Sequence, residues 1–268
     1  MIFLYSGIAL IFIALAYMRF ETTLLTVKKV HLTKSSAQLK VIQISDIHIS
    51  FLKVNIKKIT KVVEEEQPDL IILTGDYIDD AKEIPLFLSF LEKVKGNHKA
   101  FLCFGNHDYR AFRENEAGLH QFISDIENLG INVLLNDSVY YEKGSSTYNI
   151  IGIEDLRSNR HEIEKAFKHC KKNATSNIVF SHNPDIALEL PEGKVDYLLC
   201  GHFHGGQIWL PFNLEFRVLR HEKLGKMGIK RGLNNFNNIT IYINSGIGNV
   251  LFPLRFLSPP EITVLYFP

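Results

Sequence analysis

Aspartate, asparagine and histidine follow five short apolar segments of the chain, at the point where each segment ends. In chain order they are Asp46 and His48, Asp76 and Asp79, Asn106 and His107, His182, and finally His202 and His204. Apolar segments of this length, rich in β-branched residues, are typical of buried strands. Because α/β sheets bind ligands beyond the carboxyl ends of their strands, we expect these side chains to meet at one site.

Each of these residues has a simpler explanation when it is taken alone. An aspartate after a strand often forms a turn or caps a helix, and Asn106 is a typical turn residue. His182, in the string SHNPD, could begin the turn before Pro184. His202 and His204 are stronger candidates because alternate residues of an extended chain face the same side. The joint occurrence at five strand ends is what favours a functional site.

Glycine precedes the polar residue at three of the five strand ends. These glycines are Gly75, Gly105 and Gly201. Glycine at such a position permits a sharp turn that exposes the next side chain.

The types of candidate ligand favour a centre of two divalent metal ions. Carboxylate, imidazole and amide oxygen are ligands of manganese, iron or zinc rather than of copper or a cluster. We expect manganese, with iron or zinc as alternatives. Two carboxylates among neutral imidazoles leave net positive charge on two such ions, which suits an anionic phosphate. Two ions ~3.5–4 Å apart can clamp a phosphoryl group and activate a water molecule.

The elements that must position these residues alternate between strands and helices, which predicts an α/β architecture. The predicted strands are residues 39–44, 70–73, 100–104, 178–180, 197–200, 239–243 and 262–267. The predicted helices are residues 56–66, 84–94 and 119–129. Since no proline-rich linker or internal repeat interrupts this pattern, we expect one catalytic domain over residues 39–268, with residues 19–38 as a linker before it.

The N-terminal segment predicts a single transmembrane helix over residues 1–18, which contain no charged side chain. At ~1.5 Å per residue the segment is ~27 Å long, enough for a hydrocarbon core. A cleaved signal peptide is the alternative, but no lysine or arginine precedes the apolar run. Positive residues follow it, starting with Arg19. Because such residues stay on the cytoplasmic side, we expect a single-pass anchor in the inner membrane and a cytoplasmic domain.

The composition is that of a globular protein and excludes several functional classes. Hydrophobic residues make up 46% of the chain and charged residues 22%. Lysine plus arginine (30) nearly equals aspartate plus glutamate (29), which argues against a nucleic-acid partner. Three widely spaced cysteines exclude a disulfide scaffold.

The ordered motifs D-x-H (46–48), G-D-x-x-D (75–79), G-N-H-D (105–108), His182 and G-H-x-H (201–204) resemble the calcineurin-like metallophosphoesterase superfamily. The resemblance implies an α/β fold in which a two-sheet β-sandwich is flanked by helices, with a dinuclear metal centre at its edge. It implies one metal held by Asp46, His48, Asp76 and His204, and another held by Asp76, Asn106, His182 and His202. It also implies that His107 contacts phosphate and protonates the leaving oxygen, and that Asp79 orients His107.

Departures from the protein Ser/Thr phosphatase pattern narrow the branch. Asp80 and Asp108 stand where those phosphatases carry arginine and glutamate, and we interpret both as local turn or hydrogen-bonding groups. The strings GHFHGGQIWLP (201–211) and PPEIT (259–263) resemble a membrane-anchored bacterial phosphodiesterase branch that includes UDP-2,3-diacylglucosamine hydrolases of lipid A synthesis. The resemblance implies hydrolysis of a phosphodiester or pyrophosphate bond in a phosphate-containing small molecule or nucleotide-linked lipid. The alternatives are a broad-specificity membrane phosphodiesterase and a non-catalytic membrane scaffold that retains the fold.

Two apolar stretches that contain basic residues bear on a lipid substrate. Residues 208–223 include Trp209 and Arg217, and residues 250–257 include Arg255. An apolar surface rimmed by basic groups would suit an acyl chain beside a phosphate at a membrane. For residues 250–257 we favour packing in the core, whereas for residues 208–223 both interpretations stay open.

Overall fold

Two six-stranded β-sheets form the body of the protein. The computed structural model describes residues 1–34, 38–210, 212, 214–216 and 220–268. The first sheet has the strand order β1-β12-β2-β3-β4-β5. Its strands are β1 (Thr26–His31), β2 (Leu39–Ile44), β3 (Leu70–Thr74), β4 (Lys99–Cys103), β5 (Ile131–Val133) and β12 (Glu261–Phe267). From β2 to β5 neighbouring strands run parallel, so their carboxyl ends lie along one edge.

The second sheet has the order β10-β11-β9-β8-β7-β6. Its strands are β6 (Asp137–Lys143), β7 (Ser146–Gly152), β8 (Ser176–Phe180), β9 (Tyr197–Cys200), β10 (Gly232–Phe236) and β11 (Ile239–Ile243). The central strands β7, β8, β9 and β11 are parallel, whereas the outer strands form antiparallel pairs with β7 and β11.

Alternating side chains of the strands divide the interior into three layers. Leu39 and Val41 of β2 pack between the two sheets, against residues of β7 and β8 such as Ile150 and Ile178. The alternate residue Ile42 points to the other face, where the helices cover the first sheet. This arrangement is expected where both faces of a sheet are buried.

Helices cover the outer faces of the sheets. The helices are α1 (Ile2–Glu21), α2 (Ile56–Glu66), α3 (Ile84–Lys95), α4 (Asn106–Ala111), α5 (Glu116–Asn128), α6 (Ile163–Ala166) and α7 (Lys223–Lys226). Helices α2, α3 and α5 bury their apolar sides in the layer outside the first sheet. The two-sheet sandwich flanked by helices, which the resemblance implied, is confirmed.

The N-terminal helix α1 is long and apolar enough to span a membrane, with a mean hydropathy of 1.9. It extends to Glu21, past the end of the predicted span at residue 18. The segment 19–38, which we expected to be a linker, contains strand β1, and β1 pairs in parallel with β12 along its full length. Its alternation of half-buried and exposed residues is that of an edge strand, and is too weakly apolar to stand out in the sequence. Residues 35–37 of the expected linker lie outside the described residues.

Candidate metal centre

The side chains singled out in the sequence lie together where the carboxyl-terminal edges of the two sheets meet. Strands β2, β3 and β4 of the first sheet lead into Asp46, Asp76 and Asn106. Strands β8 and β9 of the second sheet lead into His182 and His202. The backbone N–H of His202 donates to the Asp46 carboxylate at 3.0 Å, which joins the ends of the two sheets directly. The structure therefore brings all nine predicted site residues into one region.

Three of these residues form a first buried cluster of possible metal ligands: Asp46, His48 and His204. The Nε2 atom of His204 lies 3.2 Å from Oδ1 of Asp46. All three side chains are almost fully shielded from solvent. Such a group offers a divalent ion one carboxylate and two imidazole nitrogens.

A second cluster contains Asp76, His182 and His202. Oδ2 of Asp76 is 2.9 Å from Nε2 of His182, and Nδ1 of His202 is 3.1 Å from the same nitrogen. Oδ2 of Asp76 also lies 3.8 Å from Nε2 of His48, a member of the first cluster. Asp76 is therefore positioned between the two clusters, where one carboxylate can contact two ions.

Several buried polar atoms at the site have no hydrogen-bond partner among the described residues. They include Nε2 of His48, Oδ1 of Asn106 and Nδ1 of His204. Leaving such an atom buried and unsatisfied costs ~1–3 kcal/mol. Since the lone pairs of an imidazole nitrogen and an amide oxygen suit a divalent cation, the residues present fit the dinuclear centre that the family implies.

Hydrogen bonds outside the clusters orient two of the candidate histidine ligands. Nδ1 of His182 donates to the carbonyl of Thr74 at 2.8 Å, which leaves Nε2 facing Asp76. Nε2 of His202 donates to the Glu222 carboxylate at 2.8 Å, which leaves Nδ1 facing the cluster. Partners of this kind fix the tautomer of a metal-binding histidine. Glu222 was missed in the sequence because it follows no strand and matches no motif.

Asp79 contacts two histidines at once. Its Oδ1 accepts from Nδ1 of His107 at 2.5 Å, and its Oδ2 accepts from Nδ1 of His48 at 2.9 Å. Arg110 also donates to Asp79, at 2.8 Å. The sequence interpretation assigned Asp79 to His107 alone, so its contact with the ligand candidate His48 is an addition from the structure. His107 itself lies 3.9 Å from Asp76 and groups with His48 and Asp76.

Burial and charge set the protonation of the site in opposite directions. Burial lowers the pKa of His204 well below its usual value, and burial also lowers the pKa of His202. For His182 burial opposes protonation, but the charge and hydrogen bond of Asp76, together with the charges of Asp46 and Asp155, outweigh it and raise the pKa of His182 to about 10. Neutral His202 and His204 could each offer a lone pair to a cation, whereas His182 would first have to lose a proton.

The backbone is left-handed at five of the seven predicted ligands. Their φ angles are 49° at Asp46, 37° at His48, 58° at Asp76, 70° at His202 and 51° at His204. This region costs of order 1 kcal/mol or more for a residue with a side chain, and it occurs preferentially at functional sites. The tight backbone at the strand ends is what directs these side chains towards one point.

The three glycines before the strand-end residues are required for different reasons. Gly75 has a φ of 87° and serves the turn, as expected. Neither Gly105 nor Gly201 has a positive φ, so left-handed backbone is not what favours glycine at these two positions. A Cβ atom at Gly105 would collide with the Asp76 carboxylate, and one at Gly201 would collide with Asp46. These two glycines allow the backbone to approach the candidate ligands closely.

The Asp108 carboxylate connects the ends of β3 and β4. It is fully buried and accepts four backbone N–H groups, from Asp76, Tyr77, Ile78 and Gly105, at 2.8–3.1 Å. Burial, together with the charge of Asp76, raises the pKa of Asp108 to about 7. Asp108 is thus a hydrogen-bonding group, as the sequence interpretation had it. Its hydrogen bonds reach beyond its own loop, however, and fix the loop that carries Asp76.

Two cavities open beside the metal-ligand clusters. The larger has a volume of about 500 Å³ and is lined by residues that include Asp76, His107, Arg220 and Val250. The second, of about 430 Å³, is lined by Asn106, His107, Tyr109, Ser158 and four arginines, namely Arg110, Arg113, Arg157 and Arg160. Because His107 and Arg157 line both cavities, the two spaces adjoin at His107.

The structure bears on both apolar-basic stretches of the sequence. Core packing of residues 250–257 was wrong in part, because Leu251 and Phe252 are exposed. Arg255 is fully buried and donates to backbone carbonyls, so it is no basic rim. In the other stretch Phe216 is buried and Phe212 is exposed, whereas Arg217 lies outside the described residues.

Known proteins with similar sequences match most of the chain. Residues 39–206 match the family model described as calcineurin-like phosphoesterase. The metallophosphoesterase YkoQ of Bacillus subtilis is 32% identical over 229 residues, which cover 84% of this chain and 82% of that protein. Phosphodiesterase YaeI of Escherichia coli is 30% identical over 244 residues, covering 86% and 83% respectively. The UDP-2,3-diacylglucosamine pyrophosphatase LpxG of Chlamydia trachomatis is 28% identical over 277 residues, covering 85% and 83%.

These matches agree with the resemblance carried by the sequence motifs and with the two-sheet fold. They also agree with a site whose Asp, Asn and His side chains fit divalent ions. The chain therefore belongs to the calcineurin-like phosphoesterase family and is a metal-dependent phosphoester hydrolase.

Proposed function

We propose that this protein is a membrane-anchored hydrolase that cleaves a phosphodiester or pyrophosphate bond with two divalent ions, manganese being preferred. The observation that carries the proposal is the position of Asp76 between two buried ligand clusters. Asp46, His48, Asp76 and His204 would hold one ion, and Asp76, Asn106, His182 and His202 the other. When bound, such a pair of ions polarises a phosphoryl group and activates water.

His107 is the proposed general acid. Its side chain lines both cavities, and Asp79 accepts a hydrogen bond from its Nδ1, which leaves Nε2 to face a bound phosphate. A histidine held in this way can protonate the oxygen of the leaving group. Asp79 is the proposed positioning residue, since its carboxylate contacts both His107 and His48.

The cavity lined by four arginines favours a substrate with more than one anionic group. Guanidinium groups bind phosphate in a bidentate manner and stay charged at all physiological pH values. A pyrophosphate placed at His107 would carry its second phosphate into this cavity. LpxG is a UDP-2,3-diacylglucosamine pyrophosphatase, and we propose the same nucleotide-linked lipid as substrate here. The alternative is a broad-specificity membrane phosphodiesterase; the relative YaeI is a phosphodiesterase.

We further propose that α1 anchors the protein in the inner membrane and that the catalytic domain, residues 39–268, faces the cytoplasm. Residues 1–18 form the core of the span, and residues 19–38 connect it to the domain through β1. The support is the apolar length of α1 and the basic residues that follow it, beginning with Arg19.

The test is hydrolysis by the purified full chain in detergent with Mn²⁺. We expect release of UMP from UDP-2,3-diacylglucosamine and slower cleavage of a soluble aryl phosphodiester. Chelation should abolish both activities, and Mn²⁺ should restore them. Cleavage of the aryl ester alone would favour the broad-specificity alternative.

A pair of variants tests the site itself. Asp76→Asn should lose bound manganese and both activities, whereas Asp80→Asn, a matched change at an exposed aspartate, should retain them. If Asp76→Asn kept its metal content and its activity, the assignment of the site would be wrong. A wild-type protein that binds manganese but cleaves neither substrate would instead favour a non-catalytic scaffold.

A further inference from the structure

The loop formed by residues 250–257 presents large apolar side chains to solvent. Leu251 is 78% exposed, Phe252 70% and Leu257 48%. Ile208, also exposed, joins this loop through a β-bridge with Phe256. We call the four exposed residues, Ile208, Leu251, Phe252 and Leu257, the apolar rim. Exposed large side chains this close together are typical of an interaction surface.

The backbone of this loop is held firmly although its side chains are exposed. The buried Arg255 donates to the carbonyls of Ser245, Ser258 and two further residues of the same region. The Gln207 side chain donates to the carbonyl of Val250 and accepts from its N–H. These hydrogen bonds hold the backbone of the loop in one conformation. They therefore also fix the positions from which the exposed apolar side chains project.

The last turn of α1 packs against the same loop. The N–H of Arg255 donates to the carbonyl of Met18 at 3.0 Å, and the ring of Phe256 meets that of Tyr17 at 6.1 Å between centroids. Glu21, which is buried, accepts the N–H groups of Leu257 and Ser258. These contacts fix the direction in which the helix leaves the domain.

The contacts also fix the depth of the loop relative to a membrane. The 20 residues of α1 are ~30 Å long, which equals the thickness of a hydrocarbon core. Tyr17 and Met18 therefore lie within ~6 Å of the point where the helix leaves the bilayer. The loop that touches them is at the same depth. Arg19 donates to Pro253 and Arg231 to Leu257, which places cationic groups where anionic lipid headgroups would be.

The rim also adjoins the larger cavity of the site, because Val250 lines that cavity and the next two residues belong to the rim. We propose that the apolar rim inserts into the boundary layer of the bilayer that α1 spans, so that the cavity receives phosphoester substrates anchored in that bilayer. The inference rests on the proposed function in so far as α1 spans a membrane. It adds a second, non-spanning membrane contact and a direction of substrate entry.

The single tryptophan of the chain provides the test. Trp209 follows Ile208 of the rim, and the backbone N–H of Trp209 donates to the carbonyl of Phe256. The full chain is reconstituted in phosphatidylcholine–phosphatidylglycerol vesicles whose acyl chains are brominated either near the headgroup or near the chain end. If the rim inserts, bromines near the headgroup should quench the fluorescence of Trp209 strongly. Bromines near the chain end should quench it less. Emission quenched by aqueous acrylamide but by neither lipid would overturn the proposal.

A double variant tests the consequence for substrates. Leu251→Ser with Phe252→Ser should reduce lipid quenching of Trp209 and lower the ratio of lipid-linked to aryl ester hydrolysis. The matched control is Leu86→Ser with Tyr140→Ser, which removes one exposed aliphatic and one exposed aromatic side chain outside the rim and should change neither the quenching nor the ratio. An unchanged ratio and unchanged quenching in the rim variant would overturn the proposal.

Failure of the proposed reaction is distinguishable from failure of this inference. Shallow quenching in a chain that cleaves neither substrate would retain the rim as a membrane contact and refute only the hydrolytic assignment. Chains that do not float with the vesicles would overturn the inference, since it requires α1 to be inserted.

Discussion

Replacement of Asp108 by asparagine tests whether this carboxylate holds the metal-binding loops in place. One carboxylate oxygen accepts the N–H groups of Asp76 and Gly105, and the other accepts those of Tyr77 and Ile78. Asparagine keeps the shape but replaces one acceptor oxygen with an NH₂ group. Whichever oxygen is lost, two buried N–H groups then face a donor.

The magnitude follows from these contacts. Each unsatisfied buried donor costs ~1–3 kcal/mol, so the loss of two acceptors costs ~2–6 kcal/mol. Burial and the charge of Asp76 raise the pKa of Asp108 to about 7, so the ionised carboxylate is itself disfavoured. Because removal of its charge returns part of the loss, we expect about 2–4 kcal/mol. That is a large part of the ~5–15 kcal/mol that stabilises a typical domain.

The assay is urea unfolding of the full chain in detergent, followed by far-ultraviolet circular dichroism with a chelator present. Metal-free conditions separate the stability of the loops from the contribution of bound ions. Manganese affinity, measured afterwards by calorimetry, should also fall because the same loop carries Asp76. The control is Asp80→Asn, since the Asp80 side chain accepts the N–H of Lys82 and asparagine caps equally well. An Asp108→Asn protein within ~0.5 kcal/mol of this control, with normal manganese affinity, would refute the reasoning.

Three further predictions concern residues around the site. Glu222→Gln should weaken manganese binding about 10–100-fold because it removes the charge that orients His202, while Glu189→Gln should not; calorimetry measures both. His107→Ala should lower kcat about 10²–10⁴-fold for an alkyl leaving group and less for p-nitrophenolate, which leaves without a proton; an equal loss for both would exclude a general-acid role. Arg255→Met should destabilise the domain by at least about 3 kcal/mol, seen as a lower urea midpoint, because it leaves buried carbonyls unpaired. An unchanged midpoint would show that those carbonyls find other partners.

Much of the fold could be predicted because buried positions of helices and strands are occupied by apolar residues at a regular spacing. Helix α2 begins and ends at the predicted residues, since its apolar side is regular and Asn55 caps its first turn. Strands β2, β9 and β11 also match, because each is a short, mostly apolar segment that is buried along nearly its whole length. Strands β1, β5, β6, β7 and β10 were not predicted. Strands β1 and β10 lie at sheet edges, where only every second residue is partly buried. Strand β7 is a central strand, but polar residues precede its short apolar end, Ile150 and Ile151.

The sequence by itself determined which side chains meet at the candidate site. Chemistry placed at the ends of parallel strands must converge, because those ends share one edge of a sheet. This reasoning needed only local patterns, and the structure brings all of these residues together. Local patterns could not show why glycine is needed at positions 105 and 201. There a Cβ atom would collide with an aspartate from a different loop.

Only the tertiary structure decided the contacts that act across the chain. Glu222 reaches His202 from a segment that has no pattern of its own, and the buried Arg255 binds carbonyls that are identical in every peptide unit. The apolar rim depends on the packing of α1, at one end of the chain, against a loop near the other. Residue type and spacing along the chain record local periodicity and burial. They do not record which distant surfaces come together, and that is why these features appeared only in the folded protein.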